Sequence, residues 1–201
     1  MSNSSGYTVI SYAAFQNKAS AVHAMLDHMK EHEDEHVRKK LVNWINARDF
    51  SEVRGNALLF TAFNGNMTLL KRLVEEEGAD IKVMGFGNMN VLHMAAQGNQ
   101  AAVLHYFVTK HGLSLEQKDH NGGTPLLWAA FCASELALSY LVSRDGIDIN
   151  AKNDRGETAL HQAVCSAERL KSTNLIKRLL IKGADITVQD YKGRTPAMFA
   201  E

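Results

Sequence analysis

Along the chain, runs in which small residues gather on one side alternate with runs that carry leucine and valine at helical spacing. In NVLHMAAQG (90–98) and GGTPLLWAA (122–130), the pairs Ala95–Ala96 and Ala129–Ala130 make one helical face narrow enough for a neighbouring helix to approach closely. Each such run predicts a short helix, and the leucine- and valine-rich run after it predicts a second. A turn follows, clearest in DGIDINAKNDRG (145–156) and KGADITVQDYKG (182–193). Glycine stands there where a helix stops and the backbone turns left-handed, and Asp or Asn where a side chain closes a tight turn.

This grammar repeats. GETALHQAV (156–164), NVLHMAAQG (90–98), ALLFTAFNG (57–65), TVISYAAFQ (8–16) and TPAMFAE (195–201) all match GGTPLLWAA, giving six copies. Their equivalent starting positions are Thr8, Ala57, Asn90, Thr124, Thr158 and Thr195, at spacings of 49, 33, 34, 34 and 37 residues. A helix pair of this kind cannot bury its own apolar face and must stack on a neighbour, which predicts an elongated solenoid. Thr–Pro opens the first helix because the Thr hydroxyl caps free backbone donors and Pro lacks the amide that would go unpaired.

Composition narrows the functional classes. With 201 residues and 45% apolar content the chain can bury a substantial core. The 22 basic and 22 acidic residues cancel, so no global field draws it to nucleic acid or to an anionic membrane. Two cysteines, Cys132 and Cys165, make neither a disulfide framework nor a zinc finger. No apolar run approaches the length of a membrane span, so neither membrane contact nor a nucleic-acid partner is expected of this chain. A cytoplasmic location, a monomer and a protein or peptide partner are expected instead.

The motifs TPLLWAA, ETALHQAV and IKRLLIKGADITVQDYKGRTP resemble an ankyrin-repeat domain over nearly the whole chain. The resemblance implies an all-α ankyrin-repeat solenoid of stacked helix pairs with β-hairpin-like turns, in a single domain over 1–201. The copies run over about 7–49, with an insertion near 27–43, then 50–82, 83–118, 119–152 and 153–189, with a partial copy at 190–201. More narrowly, GGTPLLWAAFCASELALSYLVSRDGIDINAKNDRGETALHQAV followed by ERLKSTNLIKRLLIKGAD is similar to the ankyrin region of protein S-acyltransferases of the Asp-His-His-Cys type. Those repeats recruit substrates at the cytosolic face of a membrane. No DHHC tetrad is present, and the partial sixth copy leads us to expect an excised piece of a longer protein.

Two stretches break the period. The first interval is 16 residues longer than the second, and the surplus lies near LDHMKEHEDEHVRKKLVNW. Val22, Met25, Leu26 and Met29 keep helical spacing, predicting that the second helix of the first copy runs long before the chain returns at Trp44. Within it His28, His32 and His36 recur every fourth residue beside Glu31 and Glu35, the spacing at which imidazoles share one metal ion. The pairs Asp34–Arg38 and Glu35–Lys39 favour a solvated face over that alternative. No metal or cofactor is therefore assigned. The other irregularity, SAERLKST (166–173), is expected to lengthen the turn between the helices of the fifth copy.

Candidate chemistry is sparse. His93 and His161 share one position in their copies, where the resemblance implies a bond to the backbone of neighbouring turns, and no nucleophile recurs beside them. Trp128 stands where other copies hold Tyr12, Thr61, Met94, Gln162 and Phe199. So wide a range of size and polarity does not suit a packed layer. The resemblance places this position on a concave groove, and Trp128 reads there as a rigid anchor with a free indole donor. Met94, Gln97 and Asn99 of the preceding copy, Phe131 and Gln162 would surround it. His120, Asn121, Asp154, Arg155, Tyr191 and Lys192 would occupy the hairpin tips. In the similar S-acyltransferases a tryptophan at this position and an asparagine one repeat earlier hold an extended substrate peptide. That asparagine aligns with Gly98, with Asn99 one residue on. A protein-binding module is thus expected, with an assembly subunit docking through its convex face or first-copy helix as the alternative, and no catalytic residue.

Overall fold

The computed structural model describes residues 8–31, 35–47 and 55–200. Among these residues the chain forms eleven α-helices and no strand. It divides into two compact units, Met1–Met94 and Ala95–Glu201.

The first unit holds α1 (Val9–Phe15), α2 (Ala19–Lys30), α3 (Glu35–Asn46), α4 (Ala57–Asn64), α5 (Met67–Glu75) and the start of α6 (Val91–Gln97). Side-chain oxygens of Thr8, Asn56 and Asn66 cap α1, α4 and α5 by accepting the amides of Ser11, Leu59 and Leu69. Helix α1 packs on α2 and α4, and α5 packs on α2 and α4. Val22, Leu26, Ile45, Leu58, Leu70 and Leu73 are fully buried among them, each such burial contributing about 1.5–3 kcal/mol. Arg72 joins α5 to α2 through Asp27 and Nδ1 of His23, and its Nε donates to the buried Glu77 at 2.9 Å. Lys30 meets the same carboxylate at 3.0 Å.

The long second helix expected in the first copy is not formed. Helix α2 ends at Lys30, and the surplus residues build a separate α3 that packs on α1, α2 and α4. Leu41 and Ile45, one turn apart, are 4% and 0% exposed; folding back buries this stripe, whereas continuing α2 would leave it in water. Asn46 at the end of α3 accepts the amide of Asp80 at 2.7 Å and donates to the carbonyl of Gly78 at 3.1 Å. Later in the chain Glu116 and Asn150 accept the amides of Asp148 and Asp185 in the same manner. Helix α3 therefore supplies in the first copy a contact that a hairpin residue supplies in later ones. His32 and Asp34 lie outside the described residues, as do the side chains of His36 and Arg38. His28 is exposed beside Glu31 at 3.8 Å, and no group of three metal-ligating side chains occurs among the described residues.

The second unit holds the end of α6, α7 (Ala101–His111), α8 (Pro125–Phe131), α9 (Glu135–Leu141), α10 (Ala159–Leu170), α11 (Asn174–Ile181) and a short 3-10 turn over Pro196–Phe199. Helix α8 packs on α9 and α10, and α9 on α7 and α11. Ala95, Ala96, Ala129, Ala130 and Ala163 are all fully buried, so the small-residue faces are the ones in contact. The segment SAERLKST does not lengthen a loop. It extends α10 to twelve residues against seven in α8, with Ser166 buried and bonded to the carbonyl of Ala163.

Three hairpins repeat one device. Oδ1 of Asp119, Asn153 and Asp190 accepts two amides each: Asn121 and Gly123, Arg155 and Glu157, Lys192 and Arg194. The tips are tied in series, the amide of Asp154 donating to the carbonyl of Asn121 and that of Tyr191 to Arg155. Gly122 (φ +71°) answers two demands, since a Cβ there would also stand 2.5 Å from Oδ1 of Asp154.

Candidate partner-binding site around Trp128

Helix α8 begins at Thr124, whose hydroxyl accepts the amide of Leu127, with Pro125 at the first helical position. Trp128 follows one turn later and is half-buried. Its indole is not free: Nε1–H donates to Oδ2 of Asp119 at 2.7 Å. The neighbouring hairpins show why that oxygen is open. In the last one Arg194 donates its Nε to Oδ2 of Asp190 at 2.8 Å. In the fifth copy Asn153 donates instead, to Glu157 at 3.0 Å. The position of Arg194 and Glu157 holds Gly123 in Trp128's own copy, so no hairpin side chain competes for Asp119.

The ring is held from a second side. Phe131, one turn on and 46% exposed, stands edge-to-face with it at 5.8 Å. Arg169, from the added turn of α10, lies 5.9 Å over the Phe131 ring and donates to its carbonyl at 2.8 Å. Trp128, Phe131 and Leu127 form the apolar wall of a depression of 140 Å³, faced by Asn121, Arg155 and Gln162. Sequence reasoning missed Asp119, Gly123 and Arg169. The signal for the first two was the substitution of glycine at one hairpin position, and for the third the insertion itself.

Other expected residues are placed differently. Met94 is 4% exposed and so is part of the core rather than a groove lining. Gln162 is 7% exposed with its amide donating to Glu157 at 2.7 Å, because Glu157 occupies the position that is glycine beside Trp128. Asn99 is committed to structure: its Oδ1 accepts the amides of Leu136 and Ala137 at 2.8 and 3.0 Å, capping α9. Gln97 is half-buried, its backbone carbonyl accepting the hydroxyl of Ser134 at 3.1 Å. His120, Asn121, Asp154, Arg155, Tyr191 and Lys192 are exposed on the hairpins, although of these only Asn121 and Arg155 border the depression.

No reactive group emerges from the cysteines or from His161. Burial pushes the Cys132 thiol up, and burial with Glu157 and Glu168 does the same to Cys165, so both stay protonated. The Nδ1 of His161 accepts the amide of Thr158 at 3.1 Å and its Nε2 donates to the carbonyl of Arg194 at 3.1 Å. Both nitrogens are thereby occupied in joining a helix start to the following hairpin.

Paired helices with alanine faces, joined by hairpins that one Asp or Asn closes and one glycine turns, define a helical repeat protein. The chain belongs to the ankyrin-repeat family: the family model described as Ankyrin repeats (3 copies) matches residues 58–153 and again 92–190. No curated protein matches the chain. Ankyrin repeats are non-catalytic modules of protein–protein interaction. No helix among the described residues is long and apolar enough to cross a membrane.

Proposed function

We propose that the chain is a protein-binding module that holds an extended segment of a partner in the depression beside Trp128. The observation that carries this is an aromatic pair, Trp128 and Phe131, kept half-exposed at a 140 Å³ depression by Asp119 and Arg169. Fixed aromatic surface loses little entropy on binding and serves as an anchor. Arg155, 73% exposed by side chain and paired with Glu157 at 3.1 Å, adds a guanidinium at the rim. The resemblance drawn from the sequence extends the proposal: the module would recruit substrates for a protein S-acyltransferase domain at the cytosolic face of a membrane. Selection from a displayed random-peptide library tests the binding role. Enrichment of a motif that Trp128→Ala abolishes supports it, and enrichment that survives Trp128→Ala refutes it.

A second reading, docking into a larger assembly through the first copy, has one observation in its favour. Trp44, Val42 and Val9 are 44%, 39% and 57% exposed on α3 and α1. Trp44→Ser together with Val42→Ser would disrupt such an assembly without affecting peptide selection.

A further inference from the structure

We infer that Asp119 is a positioning residue for the Trp128 site, and that glycine at 123 gives it that role. The inference rests on the binding role proposed above and adds how the anchor is presented and what it selects.

Three hairpins in one chain provide the comparison. In each, one oxygen of Asp119, Asn153 or Asp190 closes the turn, and the other atom of the same group is left to find a partner. Where the hairpin carries Arg194, that side chain takes Oδ2 of Asp190. Where it carries Glu157, the carboxylate collects Asn153, Gln162 and Arg155. Gln162 stands at the position of Trp128, so in both copies the fourth residue after the helix start is tied back to the hairpin, through Glu157 in one and directly to Asp119 in the other. With no side chain at 123, the carboxylate of Asp119 reaches the indole at 2.7 Å.

The consequence is chemical. The only polar atom of Trp128's side chain is consumed inside the protein, so a partner meets this residue through ring surface. The site then selects an apolar side chain at that point of the segment, not a hydrogen-bond acceptor. Pinned at Nε1 by Asp119 and flanked edge-to-face by Phe131, the ring is already in its binding orientation.

Asp119→Asn is the discriminating variant, because Asn153 shows that asparagine closes this hairpin equally well while its amide donates and cannot accept an indole N–H. Gly123→Arg is the second, and it places at 123 the residue that Arg194 supplies in the last hairpin; a Cβ at 123 meets Oδ2 of Asp119 at 3.0 Å, and the equivalent position holds Glu157 and Arg194 in the sibling hairpins. The readout is solvent exchange of the Trp128 indole N–H in the ¹⁵N-labelled full chain, with Trp44→Phe to assign the resonance. Both variants are expected to speed exchange about tenfold or more, and to weaken a peptide selected on the wild-type chain about tenfold. Unchanged indole exchange in both variants overturns the tether itself. Faster exchange with unchanged peptide affinity, where Trp128→Ala abolishes binding, overturns the positioning role. If the peptide stays bound to Trp128→Ala, the binding role fails and positioning falls with it, while the indole exchange still reports whether the tether exists.

Discussion

Replacing Asn99 separates a structural role from a binding role at one residue. Asn99 lies between α6 and α7 with φ +61°, in the left-handed region. Its Oδ1 accepts the amides of Leu136 and Ala137, the second and third residues of α9, at 2.8 and 3.0 Å. Ser134, at the N-cap of α9, makes no side-chain cap bond, so Asn99 supplies from another copy what the local residue does not. Asn99→Ala loses this cap, about 1 kcal/mol, and forces a Cβ-bearing residue without a polar side chain to hold positive φ, about 1 kcal/mol more. The total is about 2 kcal/mol. Asn99→Gly loses only the cap and is expected near 1 kcal/mol, whereas Asn99→Asp keeps the acceptor and places a negative charge at a helix start, remaining within about 0.5 kcal/mol of wild type. Urea midpoints at constant slope measure the order, and amide exchange at Leu136 and Ala137 locates it. The reasoning is refuted if Asn99→Ala leaves stability and both amides unchanged. Loss of peptide binding in all three variants without loss of stability would return Asn99 to the partner-contact role that the sequence suggested.

Three further outcomes are expected. His161→Ala removes a fully buried ring and two backbone bonds, and is expected to cost about 3 kcal/mol in the second unit, read as a fall in urea midpoint with loss of protection around Thr158. Arg72→Met leaves the buried Glu77 with Lys30 alone and is expected to destabilise the first unit by about 3 kcal/mol, much of it recovered by adding Glu77→Gln. Burial opposes ionisation of Asp190, but the amide and guanidinium of Arg194 and the amide of Lys192 outweigh it and lower its pKa to about 2. Because this lies below the unfolded value of about 3.9, the hairpin's contribution is complete above about pH 4 and is lost as pH falls towards 2. Amide protection at Lys192 and Arg194 should fall across that window, and a variant Asp190→Asn should lack the step.

Much of the fold was legible because repetition multiplies weak local signals. Ala129–Ala130, Thr124–Pro125 and the glycines at 122, 156 and 193 each carry a backbone requirement visible in one dimension. The irregular parts were less so. Helical spacing at Val22, Met25, Leu26 and Met29 predicts a helix that runs long, yet a helix ends when burying Leu41 and Ile45 elsewhere gains more. The added turn of α10 likewise meets a partner distant in sequence, Arg169 donating to the carbonyl of Phe131. At the site, Trp128 could be found as an outlier among equivalents, but whether an equivalent position is exposed depends on its neighbours. Met94 and Gln162 share its place in the repeat and are buried. The bond from Trp128 to Asp119 spans nine residues and is decided by the side chain that Gly123 lacks.

Mapping amide and indole shifts of the labelled chain during titration with a peptide selected on it would locate the bound segment. A binding role for the depression predicts the largest changes at Trp128, Phe131, Leu127, Asn121 and Arg155, with α3 and α11 silent. Changes centred on Trp44 and Val42, or on α11, with Trp128 unmoved would contradict it.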